Sequence, residues 1–128
     1  MNSVVVIEDS HTMQQIYRFA LAGTHFHIIG EAMDGQMALE VIKELQPDIV
    51  ILDLVLPGLS GVDVLKRLSE ISPNTQTIVI TSVEDVAVLK QIKNLGAVFV
   101  LQKPFKKKNQ LLDSLNLLVE SKTEVKHG

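Results

Sequence analysis

Four places along the chain put reactive side chains just beyond an aliphatic run. Glu8 and Asp9 follow Val4-Val5-Val6-Ile7, and Asp53 follows Ile49-Val50-Ile51-Leu52. Thr81 and Ser82 follow Ile78-Val79-Ile80, and Lys103-Pro104 comes just after Val98 to Leu101. A short β-branched run closed by polar and turn residues reads as a buried parallel strand. Asp53 is the most informative of these residues, since one acid ends the run and Leu-Val-Leu-Pro-Gly follows it. In open parallel sheets ligands bind at the C-terminal ends of the strands. All four ends would lie on one edge, so three acids, a hydroxyl and an ammonium would converge in one shallow cleft.

That set makes chemical sense with a cation. Clustered carboxylates repel and raise one another's pKa. A hard divalent ion resolves the repulsion, and magnesium prefers one or two carboxylates with a backbone oxygen, waters and a phosphate. Asp53 then has an oxygen free to attack phosphorus as a carboxylate nucleophile. Thr81 can donate a hydrogen bond to a phosphoryl oxygen, and Lys103 can set a positive charge against another.

The elements that must position these groups alternate between two periods. Met13, Ile16, Tyr17, Ala20 and Leu21 recur at helical spacing behind Ser10 as N-cap, and Gly23 ends that helix. His27 to Glu31 reads as a second strand, and Asp34-Gly35 as a turn. Ala38, Val41, Ile42 and Leu45 form the next helical stripe, stopped by Pro47. The third strand covers 49–53. Gly58 and Gly61 bracket a loop before Val64, Leu65 and Leu68, and Pro73 breaks that helix. A strand over 77–81 precedes a helix carrying Leu89, Ile92 and Leu95, ended by Gly96. Val98 to Leu101 is the fifth strand, and Leu111, Leu112, Leu115 and Leu118 mark the fifth helix. Strict strand-helix alternation predicts an α/β fold, a doubly wound five-stranded parallel sheet flanked by five helices. Right-handed crossovers leave only a few strand orders.

Composition narrows the class of protein. A length of 128 residues with 46% hydrophobic residues supports one domain with a real core. We place the domain at 1–120 and a polar C-terminal tail, expected to fray, at 121–128. The chain has no cysteine, which excludes disulfide and thiol chemistry. A net charge of -3 gives no support to nucleic-acid binding. The apolar runs are far shorter than a membrane span, and the N-terminus lacks the basic region of a signal peptide. A cytoplasmic domain is the expectation. His11, His25, His27 and His127 show no metal-ligand spacing.

The segments VVVIEDS, DIVILDLVLPGLSG, TIVITS and LQKPF, in that order, resemble the receiver domain of two-component response regulators. The likeness runs from Val4 to about Leu118, and the single-domain chemotaxis type is the nearest match. It implies the flavodoxin-like strand order 2-1-3-4-5. It also implies that Asp53 is the phosphoacceptor, supplied by a histidine kinase or a phosphotransfer protein. Asp9 would bind Mg2+ directly, Glu8 through water, and the carbonyl of Val55 would complete the metal shell. Thr81 and Lys103 would contact the phosphoryl group, with a cis Lys103-Pro104 bond fixing the lysine's direction. A downstream partner, an output domain or a second copy would read the face of the fourth helix, fifth strand and fifth helix.

The sequence departs from the family in three places. The aromatic that often stands three residues before the lysine is Val100 here, while Phe99 has the opposite strand face. Val55 and Val83 stand two residues after Asp53 and Thr81, where polar groups help water reach the phosphoryl group. Valines cannot orient water, so slow self-dephosphorylation is expected. Lys106-Lys107-Lys108 would oppose a helix dipole, so the last helix should begin later, with Asn109 as cap. Those lysines read as a solvated loop, or else a docking patch. Val83, Val86 and Val100 are core or isolated valines, or an exposed output surface. Two other classes compete. A phosphatase of the haloacid-dehalogenase type would need an acid where Val55 stands. A constitutive pseudo-receiver would have little reason to keep the acid cluster.

Overall fold

The computed structural model describes residues 2–107 and 109–120. Five strands alternate with five helices: β1 (Asn2–Ile7), α1 (His11–Leu21), β2 (Phe26–Ala32), α2 (Gly35–Leu45), β3 (Ile49–Leu52), α3 (Gly61–Ile71), β4 (Gln76–Thr81), α4 (Val86–Asn94), β5 (Ala97–Gln102) and α5 (Gln110–His127). The strands form one parallel sheet in the order β2-β1-β3-β4-β5. This is the flavodoxin-like doubly wound topology that the alternation and the resemblance led us to expect.

Period-two alternation sorts the core to the two faces of the sheet. Val5, Ile7, Val50, Leu52 and Val79 pack with Ala38, Ile42, Val64, Leu68 and Ile92, beneath α2, α3 and α4. Val4, Val6, Ile49, Ile51, Ile78 and Ile80 pack with Tyr17, Leu21, Leu111, Leu115 and Leu118, beneath α1 and α5. β3 is therefore aliphatic at every position, and β1 and β4 over Val4–Ile7 and Ile78–Ile80, as a sheet covered on both faces requires. Each fully buried chain of this kind contributes roughly 1.5–3 kcal/mol of transfer free energy.

Register places the polar strand ends together. Ile7 pairs with Leu52, and Leu52 with Val79, while Thr81 pairs with Gln102. The N–H of Asp53 continues the ladder by donating to the Ile7 carbonyl at 3.0 Å. The N–H of Lys103 donates to the Thr81 carbonyl at 2.9 Å. Glu8, Asp53 and Lys103 are each the residue just past their strand.

Side-chain caps start four helices. Ser10, Asp34, Ser60 and Asp85 accept from the backbone N–H groups of Met13, Met37, Asp63 and Ala87. Asp34-Gly35 is thus a helix start rather than a separate turn. Gly35 opens α2 because a Cβ there would lie 2.2 Å from the Leu59 carbonyl oxygen. α2 closes on Gln46, which takes the left-handed conformation at φ 46° directly before Pro47. The polar tail expected to fray, 121–128, lies outside the described residues.

α5 starts at Gln110, as the lysine run suggested. The Asn109 carbonyl accepts the first helical bond from Asp113 at 2.9 Å, while the Gln110 side chain accepts from the Lys106 N–H at 3.1 Å. Lys106 and Lys107 are exposed, which favours the solvated loop, and Lys108 lies outside the described residues. No described helix is long and apolar enough to cross a membrane.

Candidate functional site

The C-terminal edge of the sheet holds a buried charge cluster. Glu8 is 1% exposed and Asp53 7%. Isolated, such carboxylates would be costly, and the structure pairs them with one ammonium. Lys103 Nζ donates to Glu8 Oε1 at 2.6 Å and to Asp53 Oδ2 at 3.0 Å. Both are charge-assisted bonds. Burial pushes the Glu8 carboxyl above its ordinary pKa, and the Asp53 charge adds to this, while Lys103 opposes it only in part. For Lys103, burial acts downward, but the hydrogen bonds and charges of Glu8 and Asp53 together hold the ammonium above its usual value.

Asp9 stands exposed at the lip of the same cluster. Glu8, Asp9 and Asp53 each present an oxygen within 4.8 Å of the others. Three carboxylates against one ammonium leave two negative charges uncompensated in a set of hard oxygen donors. That is the donor chemistry of a divalent cation such as magnesium. No histidine joins this group among the described residues.

Thr81 is fully buried at the end of β4, and its Oγ1 accepts from the Val83 N–H at 3.2 Å. Its position across from Gln102 sets it beside the lysine strand end. The Val55 N–H donates to Asp53 Oδ1 at 3.3 Å, so the loop after Asp53 folds back over the carboxylate. Val55, two residues beyond Asp53, is 59% exposed. The Lys103-Pro104 peptide is cis.

The structure therefore brings together Glu8, Asp9, Asp53, Val55, Thr81 and Lys103. It also adds residues that the strand-end pattern missed. Gln14 is buried on α1 and donates through Nε2 to the Glu8 carbonyl at 2.8 Å. It takes the inward place expected of Ile16, which is 41% exposed. A glutamine three residues before a buried tyrosine was the available signal. Gln102 Nε2 donates to the Val83 carbonyl at 2.9 Å, tying β5 to the loop after Thr81. Gly61 starts α3 where a Cβ would lie 2.2 Å from the Asp53 carbonyl oxygen and 2.5 Å from Leu54 Cα.

Two of the valines read as possible surface are instead packed. Val83 and Val100 lie against the core beneath α2, α3 and α4, whereas Val86 is open at 66% exposed. Phe99 packs on the opposite face of the sheet, as the alternation predicts.

Comparison with known proteins agrees with this geometry. Residues 4–116 match the model of the response regulator receiver domain. The chain is 30% identical over 113 residues to the chemotaxis protein CheY of Thermotoga maritima, covering 88% of this chain and 93% of that one. It is 30% identical over 105 residues to the sporulation initiation phosphotransferase F of Bacillus subtilis, covering 82% and 85%. Among solved structures, the signal receiver domain of a modulated diguanylate cyclase from Desulfovibrio desulfuricans G20 superposes with a TM-score of 0.83 at 27% identity, covering 96% and 97%. A family match across most of the chain, on a sheet whose edge gathers three carboxylates and one lysine, identifies this protein as a member of the response regulator receiver family.

Proposed function

We propose that Asp53 accepts a phosphoryl group from the phosphohistidine of a kinase or phosphotransfer protein, and that the modified domain then controls a partner. The observation that carries this reading is the Lys103 ammonium bonded to both Glu8 and Asp53, at 2.6 and 3.0 Å, at the C-terminal edge of the sheet. An Asp53 carboxylate oxygen attacks phosphorus, the O–P bond forms, and the donor's N–P bond breaks. The departing imidazole keeps the electron pair and takes a proton from solvent. Lys103 leaves its acid partners for a phosphoryl oxygen, and the Thr81 hydroxyl donates to another. Glu8, Asp9, Asp53 and the Val55 carbonyl would hold a magnesium ion, which supplies positive charge against the phosphoryl oxygens when bound.

The product is an acyl phosphate that persists, because Val55 and Val83 offer an attacking water no hydrogen bond. The same side chain at position 55 argues against a dehalogenase-type phosphatase, which needs an acid there. The domain works as a signalling switch whose two states differ in the arrangement around Thr81 and Lys103. Val86 on α4 and Val98 on β5, 66% and 45% exposed, give the α4-β5-α5 face apolar surface for an output partner or a second copy.

The test is intact mass after incubation with acetyl phosphate and magnesium, for the wild type and Asp53→Asn. The wild type should gain one phosphoryl group and the variant none. Equal gain by both, or none by the wild type, would refute the assignment.

A further inference from the structure

Helix α1 turns inward a face that is polar near the site and aromatic one turn later. Its buried residues are Gln14, Tyr17 and Leu21, spaced by three and four. Gln14 holds the backbone of the acidic strand end through its 2.8 Å bond to the Glu8 carbonyl. Tyr17, 1% exposed, meets Phe105 edge to face, with ring centroids 6.4 Å apart and planes at 61°. Phe105 lies two residues beyond Lys103, whose ammonium bonds Glu8 and Asp53. One helix face thus touches both the strand end that carries the acids and the loop that carries the ammonium.

The other restraints on Lys103 lie on its strand side. Its N–H is held by the Thr81 carbonyl at 2.9 Å, and Gln102 is tied to Val83. Beyond Lys103 the loop leaves the ladder, and the Tyr17 ring is the aromatic contact that meets it. The Tyr17 hydroxyl feels Glu8 and Asp53 through their charges and makes no hydrogen bond to either. Burial, with the Glu8 and Asp53 charges adding, pushes its pKa far up, so the hydroxyl stays neutral. The ring, rather than the hydroxyl, is the working part.

We propose that Tyr17 is a positioning residue for phosphoryl transfer: its edge contact with Phe105 holds the Lys103 loop in register with the acid pair that Gln14 secures from the same helix face. The inference rests on Asp53 being the phosphoacceptor. It predicts a separation of effects along one helix face. Tyr17 acts on the lysine, and so on the transfer step. Gln14 acts on the acids, and so on the binding of magnesium.

The experiment measures the initial rate of phosphoryl uptake from acetyl phosphate against magnesium concentration, for variants whose fold is verified by circular dichroism. Tyr17→Leu should lower the maximal rate by roughly twofold to tenfold, the energy range of an edge-to-face pair expressed as a rate. Its half-saturating magnesium concentration should stay within about twofold. Tyr17→Phe should restore the wild-type rate, since no hydroxyl bond is lost. Gln14→Met should do the reverse of Tyr17→Leu, raising the magnesium requirement of the rate, and of the rise in Tm that magnesium gives without a phosphoryl donor, with a smaller effect on maximal rate. Phe105→Leu reads the same contact from the loop side if Tyr17→Leu does not fold. A wild-type maximal rate in a folded Tyr17→Leu or Phe105→Leu, or a Tyr17→Phe as impaired as the leucine, would overturn the proposal. Equal shifts of both parameters in the tyrosine and glutamine variants would overturn it too, as the mark of a merely structural role. Failure of the wild type to take phosphate would instead sink the assignment of Asp53, and this inference with it.

Discussion

Replacing Gly61 by alanine should destabilise the protein, although helix propensity alone gives the opposite sign. Gly61 is the first residue of α3, where alanine would ordinarily gain about 0.5–1 kcal/mol. The added Cβ would lie 2.2 Å from the Asp53 carbonyl oxygen and 2.5 Å from Leu54 Cα. Both are backbone atoms, so no side-chain rotation relieves the clash. Either α3 or the end of β3 must withdraw by roughly 1.2 Å or more to reach ordinary contact. Overpacking of this kind costs about 1–3 kcal/mol or more. Withdrawal also stretches the 2.9 Å bond from the Gly61 N–H to the Leu54 carbonyl, itself worth about 1 kcal/mol. The clash outweighs the propensity, leaving a net loss of about 1–3.5 kcal/mol, or a fall of roughly 5–15 °C in Tm for a domain of this size. Because the atom struck belongs to Asp53, uptake of phosphate should fall as well, by up to about a hundredfold for a shift of that order. Urea and thermal unfolding give the first number, and timed mass spectrometry with acetyl phosphate gives the second. Gly58→Ala is the control: its φ of 71° strains alanine, but nothing lies within 4 Å of the new Cβ. That variant should lose about 1 kcal/mol and keep its uptake rate. A Gly61→Ala protein as stable as the wild type, with unchanged uptake, would refute the close approach of α3 to Asp53.

Four further outcomes are expected. Introducing polar groups at Val83→Glu and Val55→Asn should shorten the acyl-phosphate lifetime by about tenfold or more, measured by decay of the phosphorylated mass; an unchanged lifetime would show that the valines do not limit water. Magnesium at about a hundredfold over its dissociation constant should stabilise the fold by about 2.7 kcal/mol, seen as a rise in Tm that Asp9→Asn removes. Lys103→Met leaves the Glu8 carboxyl without its cation, so its folded pKa should climb further. A raised carboxyl pKa gives stability that is present below the ordinary 4.5 and lost as pH rises through the folded value, so urea midpoints of this variant should decline more steeply than wild type above that pH. At the alkaline end the wild type should lose stability as pH passes the raised Lys103 value, above 10.5, a loss that Lys103→Met should lack.

The parallel sheet was legible because its signal is local. Aliphatic runs such as Ile49 to Leu52 and β-branched runs such as Val4 to Ile7 state burial on both faces, and Ser10 announces a helix start three residues ahead of the bond it accepts. The strand-end residues were legible for the same reason, since each follows an apolar run within two residues. Gln14 was not, because a buried glutamine in a helical stripe looks like a surface residue until the Glu8 carbonyl is seen opposite it. Gly61 was read as a loop marker, because the approach of Asp53 to α3 depends on how β3 and α3 pack. The surface reading of Val83 and Val100 failed similarly: a valine's exposure depends on which neighbours cover it.

By itself the sequence determined the alternation of strands and helices, the acids at two strand ends, the hydroxyl at a third and the lysine after a fourth. Those are properties of composition and period, carried by neighbours along the chain. Only the tertiary structure decided that Lys103 bonds Glu8 as well as Asp53, that the Gln14 amide and the Tyr17 ring brace the site from one helix, and that Val55 is open while Val83 is packed. These facts join residues up to 95 positions apart. Sheet register and side-chain packing bring such residues within hydrogen-bonding reach, and local spacing along the chain cannot encode distances of that kind.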